Sequence, residues 1–241
     1  MENKKISINM KFWDDGQIDS TRIRNVKFTW EKLKNLSKFL INNNINCDIS
    51  LYDFSTTKII DDAIHIPYPL GEYKKAEKTN VILNHKKDYD FFMMMDCDAF
   101  FDVGDYESLL TLFNNLNIGD ILTFDLAKLD ENISEYIIDN EFNKENANWS
   151  YAFSGPKHLG PLHHHSGGLG GVYLCDTKLL LNCRGFDEKF KGWGGEDGDA
   201  ISRILSSGQS YNLKPIRNFA PFHLPHFSDW GSIKYNKRFD D

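Results

Sequence analysis

Asp96 and Asp98 flank Cys97 at the end of the run Tyr89-Asp90-Phe91-Phe92-Met93-Met94-Met95. On an extended backbone, residues two apart point to the same side, so both carboxylates can face one point just beyond the strand. Two like charges that close are costly unless a cation neutralises them. The pattern fits a divalent-metal site carrying a phosphorylated ligand. It also fits one Asp capping the next helix while the other is solvated. A second acidic pair, Glu196-Asp197, follows Trp193-Gly194-Gly195 and precedes Ala200, Ile201, Ile204 and Leu205, which have helical spacing. Carboxylates in a first helical turn are kept ionised by the free N–H groups and the dipole. Beside an aromatic ring, such a carboxylate suits a general base for a sugar hydroxyl. An ordinary acidic turn next to a core Trp reads the same way. His223 and His226 stand three apart in a Pro-bounded bend, where both imidazoles can meet one ion or simply serve the structure.

The elements that must position these groups follow from periodicity. The unbroken apolar run before Asp96 suits a strand buried on both faces of a sheet. Residues 4–13 alternate as a first strand and turn at Asp14-Asp15-Gly16. Val26, Trp30, Leu33, Leu36, Phe39 and Leu40 mark a helix stopped by Asn42-Asn43-Asn44. Residues 47–54 read as a second strand and 63–68 as a short third one. A helix is expected over about 73–85, another over 106–116, and a further strand over 118–126. This order implies an open, mostly parallel α/β sheet flanked by helices. In such sheets ligands bind outside the carboxyl ends of the strands.

A chain of 241 residues suits a single large domain, with a nucleotide-binding half over about 1–126 and a catalytic half over about 150–230. The formal charge of −7 argues against a broad nucleic-acid face, so no nucleic-acid partner is expected. An anionic ligand must then be held by metal and local Arg or Lys. No stretch reaches the ~20 apolar residues of a membrane span, and Met1-Glu2-Asn3-Lys4-Lys5 has no signal-peptide core. Cys47, Cys97, Cys175 and Cys183 lack Cys-x-x-Cys spacing, which points to a reduced cytoplasmic protein. Residues 154–171 are rich in Gly and include His163-His164-His165. Adjacent histidines on an extended chain alternate in direction, so a surface or lid role is expected ahead of a shared ion.

Taken together these segments resemble the GT-A-fold glycosyltransferases, and among them the β1,4-galactosyltransferase-type family. The resemblance rests on Trp193-Gly194-Gly195-Glu196-Asp197 preceded by Gly185-Phe186, on Asp96-Cys97-Asp98, on Gly170-Gly171-Val172, on Arg22-Ile23-Arg24, on Lys75 with Asn80-Val81, and on His223-Leu224-Pro225-His226 in place of Met-x-x-His. It implies a Rossmann-like single domain and inverting transfer from a UDP-sugar. Asp98, His223 and His226 would hold Mn²⁺ or a similar ion, which a mixed carboxylate and imidazole set suits better than Mg²⁺. Asp96 would face the ribose or donor sugar, and Arg22, Arg24 and Lys75 the nucleotide. Gly170, Gly171, Gly194 and Gly195 would line the donor site with Trp193. Asp53, at the end of strand two, would accept from uracil. Asp197 would be the base and Glu196 would position the sugars.

Two departures bear on the substrate. Gly198 stands where the family has a further Asp that grips the acceptor, which unsettles a GlcNAc acceptor. Gly168-Leu169 leaves room for an N-acetyl group where the family is bulky, making UDP-GalNAc a rival to UDP-Gal. The resemblance implies an oligosaccharide, glycolipid or glycoprotein acceptor and bacterial surface-glycan synthesis. The cysteine pattern and the lack of a membrane span place the enzyme in the cytoplasm, including peripheral association with the inner face of the membrane. The rival readings are a metal-dependent phosphohydrolase and an inactive sugar-nucleotide or carbohydrate-binding protein.

Overall fold

The computed structural model describes residues 4–13, 20–69, 74–129, 150–152, 171–190 and 195–224. Its organising strand is β4 (Phe91–Asp96). Phe91, Met93 and Met95 point into one hydrophobic cluster and Phe92 and Met94 into another, on opposite faces of the sheet. The uninterrupted apolar run therefore has a direct cause, since neither face of β4 meets water. Burying each such side chain contributes roughly 1.5–3 kcal/mol.

β4 lies within a seven-stranded sheet. On one side are β1 (Lys5–Phe12), β2 (Asn46–Asp53) and the two-residue β3 (Ile64–His65), all parallel to it. On the other are β9 (Val172–Asp176), β6 (Asp120–Phe124) and β10 (Asn212–Ile216). β9 is antiparallel to both neighbours, β4 and β6. The second half of the chain thus inserts a strand into the sheet built by the first. The strand order reverses at β1, whose neighbours are β2 and β4, and a crevice at the strand ends beside it is a natural ligand site.

Helix α1 (Ser20–Asn42) covers one face through Val26, Trp30, Leu33, Leu36 and Leu40, together with α3 (Tyr106–Asn114). The other face carries α2 (Lys75–His85), α4 (Thr177–Asn182) and α5 (Glu196–Ser206). α1 starts six residues before Val26, and Ile23 in its opening turn packs against the same cluster.

A second sheet was not expected. β5 (Ala99–Phe100), β11 (Phe222–His223), β7 (Leu126–Lys128) and β8 (Ser150–Ala152) form four strands in that order. The expected strand over 118–126 in fact divides: β6 ends at Phe124, and β7 pairs in the small sheet. Strands of two or three residues are too short to show a period of two. Phe100, Ala127, Leu129, Ala220, Phe222 and Leu224 give this sheet its own small core.

Candidate active site

The small sheet brings His223 to the Asp-x-Asp turn. His223 pairs with Ala99 across β11 and β5, and Leu224 N–H donates to the Asp98 carbonyl at 2.9 Å. His223 Nε2 lies 3.1 Å from Asp98 Oδ1. One ligand atom each from Asp96, Asp98 and His223 falls within 4.8 Å of the others. The turn is fixed from beneath, since the Thr29 hydroxyl of α1 donates to the Cys97 carbonyl at 2.5 Å. Burial raises the Asp96 pKa; Lys75 opposes that rise and repulsion from Asp98 adds to it. Two crowded carboxylates beside an imidazole form a donor set that a divalent cation fits.

The second group sits on α5. Gly195 adopts φ 92° before the helix, and a Cβ there would crowd Phe190. Glu196 and Asp197 then turn inward and are nearly buried. Lys75, at the start of α2, places its ammonium 2.8 Å from Glu196 Oε1 and 2.9 Å from Asp197 Oδ2. For Glu196, burial would raise the pKa, but attraction and hydrogen bonding to Lys75 prevail and the carboxyl stays below its ordinary range. For Asp197, burial outweighs Lys75, and the carboxyl lies above its ordinary range. A more basic carboxylate that is still paired with an ammonium is suited to taking a proton. Lys75 also acts electrostatically on Asp96, and Lys11, the register partner of Asp96, donates to Thr79 one turn along α2 from Lys75, so the two acidic groups are neighbours.

The α5 entry is braced by α2. Asn80 Nδ2 donates to Phe186 O and to Glu188 Oε1, each at 2.8 Å, and Asn80 Oδ1 accepts from Phe186 N–H at 2.8 Å. Arg203 Nε donates to Asp199 Oδ2 at 2.7 Å and Nη2 to Gly185 O at 2.8 Å.

Residues 153–226 match the family model described as "N-terminal domain of galactosyltransferase". Over 69 residues the chain is 32% identical to β-1,4-galactosyltransferase 7 of Mus musculus and of Homo sapiens. That stretch covers 27% of this chain and 21% of each relative, so the match spans about a fifth of their length. The catalytic domain of Drosophila β1,4-galactosyltransferase 7 in complex with xylobiose aligns with TM-score 0.50 and 16% identity, covering 90% of this chain and 67% of that one. Staphylococcus aureus TarS aligns with TM-score 0.57 and 12% identity, over 91% of this chain and 60% of that one. The mannosyltransferase PcManGT of Pyrobaculum calidifontis, in complex with GDP-Man and Mn²⁺, gives TM-score 0.52 and 11% identity, over 94% and 58%. At these identities the structures establish the fold. The galactosyltransferase likeness is thus carried by residues 153–226, while the chain as a whole shares the GT-A fold of these glycosyltransferase structures.

Several residues singled out in the sequence lie at or beside these two groups. Asp96, Asp98, His223, Lys75, Glu196, Asp197 and Gly195 are described above. Gly171 adjoins Asp96, whose N–H donates to the Gly171 carbonyl at 2.7 Å. Arg22 lies against the end of β1, its guanidinium 4.9 Å from the Trp13 ring centre and 5.7 Å from that of Phe12. Arg24 is half-buried, with Nε hydrogen-bonded to no described residue. Gly170, Trp193, Gly194 and His226 lie outside the described residues, as do Gly168-Leu169, the three consecutive histidines and the proposed lid.

Two assignments change character. Asp53 is fully buried and accepts from the N–H groups of Ser55 at 3.0 Å, Ile59 at 2.7 Å and Ile60 at 3.1 Å. Both its oxygens serve the loop after β2, so it acts as a loop anchor where a uracil contact was expected. Lys75, expected on the nucleotide, is engaged with the two α5 carboxylates.

Lys11, the register partner of Asp96, and Thr79, whose hydroxyl accepts from Lys11 Nζ at 2.6 Å, were not foreseen. Ser7, Asn9 and Lys11 form the polar face of β1, yet all are buried. Polar alternation ordinarily signals a solvated face, and only the central position of β1 in the sheet reveals otherwise. Tyr173 on β9 is also buried near Asp197, its hydroxyl bonded to no described residue.

Proposed function

We propose that the chain is a metal-dependent inverting glycosyltransferase that moves a hexose or N-acetylhexosamine, Gal or GalNAc, from a UDP-sugar to a glycan hydroxyl. The observation that carries this reading is a cation donor set, Asp96, Asp98 and His223, neighbouring a buried acid pair held by Lys75. Asp96, Asp98 and His223 would hold Mn²⁺ or a similar ion, with His226, three residues on in the sequence, as a further ligand. When bound, such an ion neutralises the charge that develops on the departing diphosphate.

The remaining steps are the work of the chain. Asp197 accepts the proton of the acceptor hydroxyl as its oxygen bonds to the anomeric carbon. The bond from that carbon to the diphosphate oxygen breaks on the opposite face, which inverts the centre. Lys75 holds Asp197 ionised and oriented until the hydroxyl arrives. Glu196, at lower pKa, stays charged and orients sugar hydroxyls. Arg22 and Arg24 add positive charge at the strand ends, where a nucleotide diphosphate needs it.

A UDP-sugar panel assayed for UDP release, with Mn²⁺ and with chelator, tests the reading. Release from UDP-Gal or UDP-GalNAc that stops with chelator and with Asp197→Asn supports it. Release indifferent to both treatments overturns it.

A further inference from the structure

Near the end of β1 lies a buried cation that no carboxylate among the described residues reaches by hydrogen bond. Lys11 is 3% exposed, and its Nζ donates to Thr79 Oγ1 at 2.6 Å. The Thr79 hydroxyl donates in turn to the Lys75 carbonyl at 2.7 Å. Lys75 then reaches Glu196 and Asp197. Three buried polar residues therefore run in series from the end of β1, through the first turn of α2, to the acid pair on α5. Lys11 is also the register partner of Asp96, at the strand pair where a ligand crevice is expected. Burial lowers its pKa to about 8, and repulsion from Lys75 adds to that shift, against attraction to Asp197, Asp96 and Glu196. A buried ammonium of this kind weakens a fold and is not explained by packing.

We propose that Lys11 is a positioning residue for the transfer reaction, pinning the first turn of α2 through Thr79 and so holding Lys75 against Glu196 and Asp197. The proposal rests on the transferase reading, in which Asp197 is the base. Its physical content is twofold. The hydrogen bond to Thr79 fixes where the Lys75 backbone sits. The like charge behind Lys75 disfavours retreat of its ammonium from the acid pair, so the Asp197 carboxylate keeps its aim. Lys11 itself transfers no proton and touches no substrate.

The full-length chain, its Lys11→Met and Thr79→Val variants and the double variant would be compared in three measurements. These are steady-state UDP release with the best UDP-sugar and Mn²⁺, calorimetric binding of UDP with Mn²⁺, and thermal unfolding. The proposal expects kcat to fall about 10- to 100-fold in Lys11→Met, with nucleotide binding unchanged and Tm unchanged or higher. It also expects the double variant to be no worse than the worse single one, because both cut the same series. A merely structural Lys11 would lower Tm and leave kcat per active molecule unchanged. That result, or strictly additive losses, overturns the proposal. A wild-type chain that turns over no UDP-sugar removes the transferase reading and this inference with it. A wild type that turns over while Lys11→Met matches it removes this inference alone.

Discussion

Gly171 and Asp96 compete for a space that only one of them can fill. Asp96 Oδ2 occupies the position a Cβ on Gly171 would take, and Leu126 Cδ1 would lie 3.0 Å from that same Cβ. The glycine before β9 is therefore the reason the first aspartate can sit at the strand end. Gly171→Ala should push the Asp96 carboxylate aside while leaving the sheet paired. The expected result is about a 10- to 100-fold rise in the Mn²⁺ concentration needed for half-maximal activity, with a small change in Tm. Metal titration of UDP release measures it; an unchanged titration would mean that the Asp96 position is immaterial.

Asp53 gives a contrasting expectation. Its three backbone partners make it a loop clamp, so Asp53→Ala strands buried N–H groups, at a cost of roughly 1–3 kcal/mol. Denaturant unfolding should show that loss. Calorimetry should show UDP binding weakened only in proportion to the unfolded fraction. Selective loss of uridine recognition in a fully folded variant would restore the nucleobase role.

The pairing of Lys75 predicts an asymmetry between fold and chemistry. Lys75→Met leaves two buried carboxylates facing each other, and breaking a buried pair in this way costs about 3–5 kcal/mol. Asp197→Asn keeps the Glu196–Lys75 contact, so it should remain folded, bind UDP with Mn²⁺, and lose transfer. Unfolding curves and calorimetry on the two variants separate the effects. Loss of nucleotide binding in Asp197→Asn would mean that the base has been misassigned.

Lys11 predicts a pH dependence whose sign can be worked out. Its pKa is depressed from an ordinary 10.5 to about 8, chiefly by burial. Between those values the unfolded chain binds more protons than the folded one, so this group's contribution to stability rises with pH. The cost of the buried charge is complete below pH 8 and gone above 10.5. Lys78, lowered to about 8 by burial, adds a rise of the same sign, while Cys47, raised to about 12, opposes it. Comparing wild type with Lys11→Met isolates the one residue. The variant should be the more stable at pH 7, by up to about 3 kcal/mol, and the gap should close as pH rises from 8 towards 10.5. Equal pH profiles would show that Lys11 carries no such cost.

The parts of this fold legible in the sequence were those with long periodic signals. The run before Asp96, the apolar stripe of α1 and the acidic opening of α5 each named their element directly. The small sheet was invisible because two-residue strands such as Ala99–Phe100 and Phe222–His223 have no pattern to read. Its consequence was nonetheless anticipated by residue chemistry, since His223 was singled out as a ligand to be shared with Asp98. Lys11 was missed for the opposite reason: it lies in a well-formed alternating strand whose polar face happens to be interior. Asp53 was read from its place at a strand end, and such ends hold loops as readily as they hold ligands.

Manganese binding tests the central claim most directly. Calorimetric titration of Mn²⁺ into the protein with UDP present should show one site in the wild type. Asp98→Asn and His223→Ala should each weaken it at least about tenfold, while Asp197→Asn leaves it intact. Identical isotherms for all four proteins, or no saturable site in the wild type, would contradict the account.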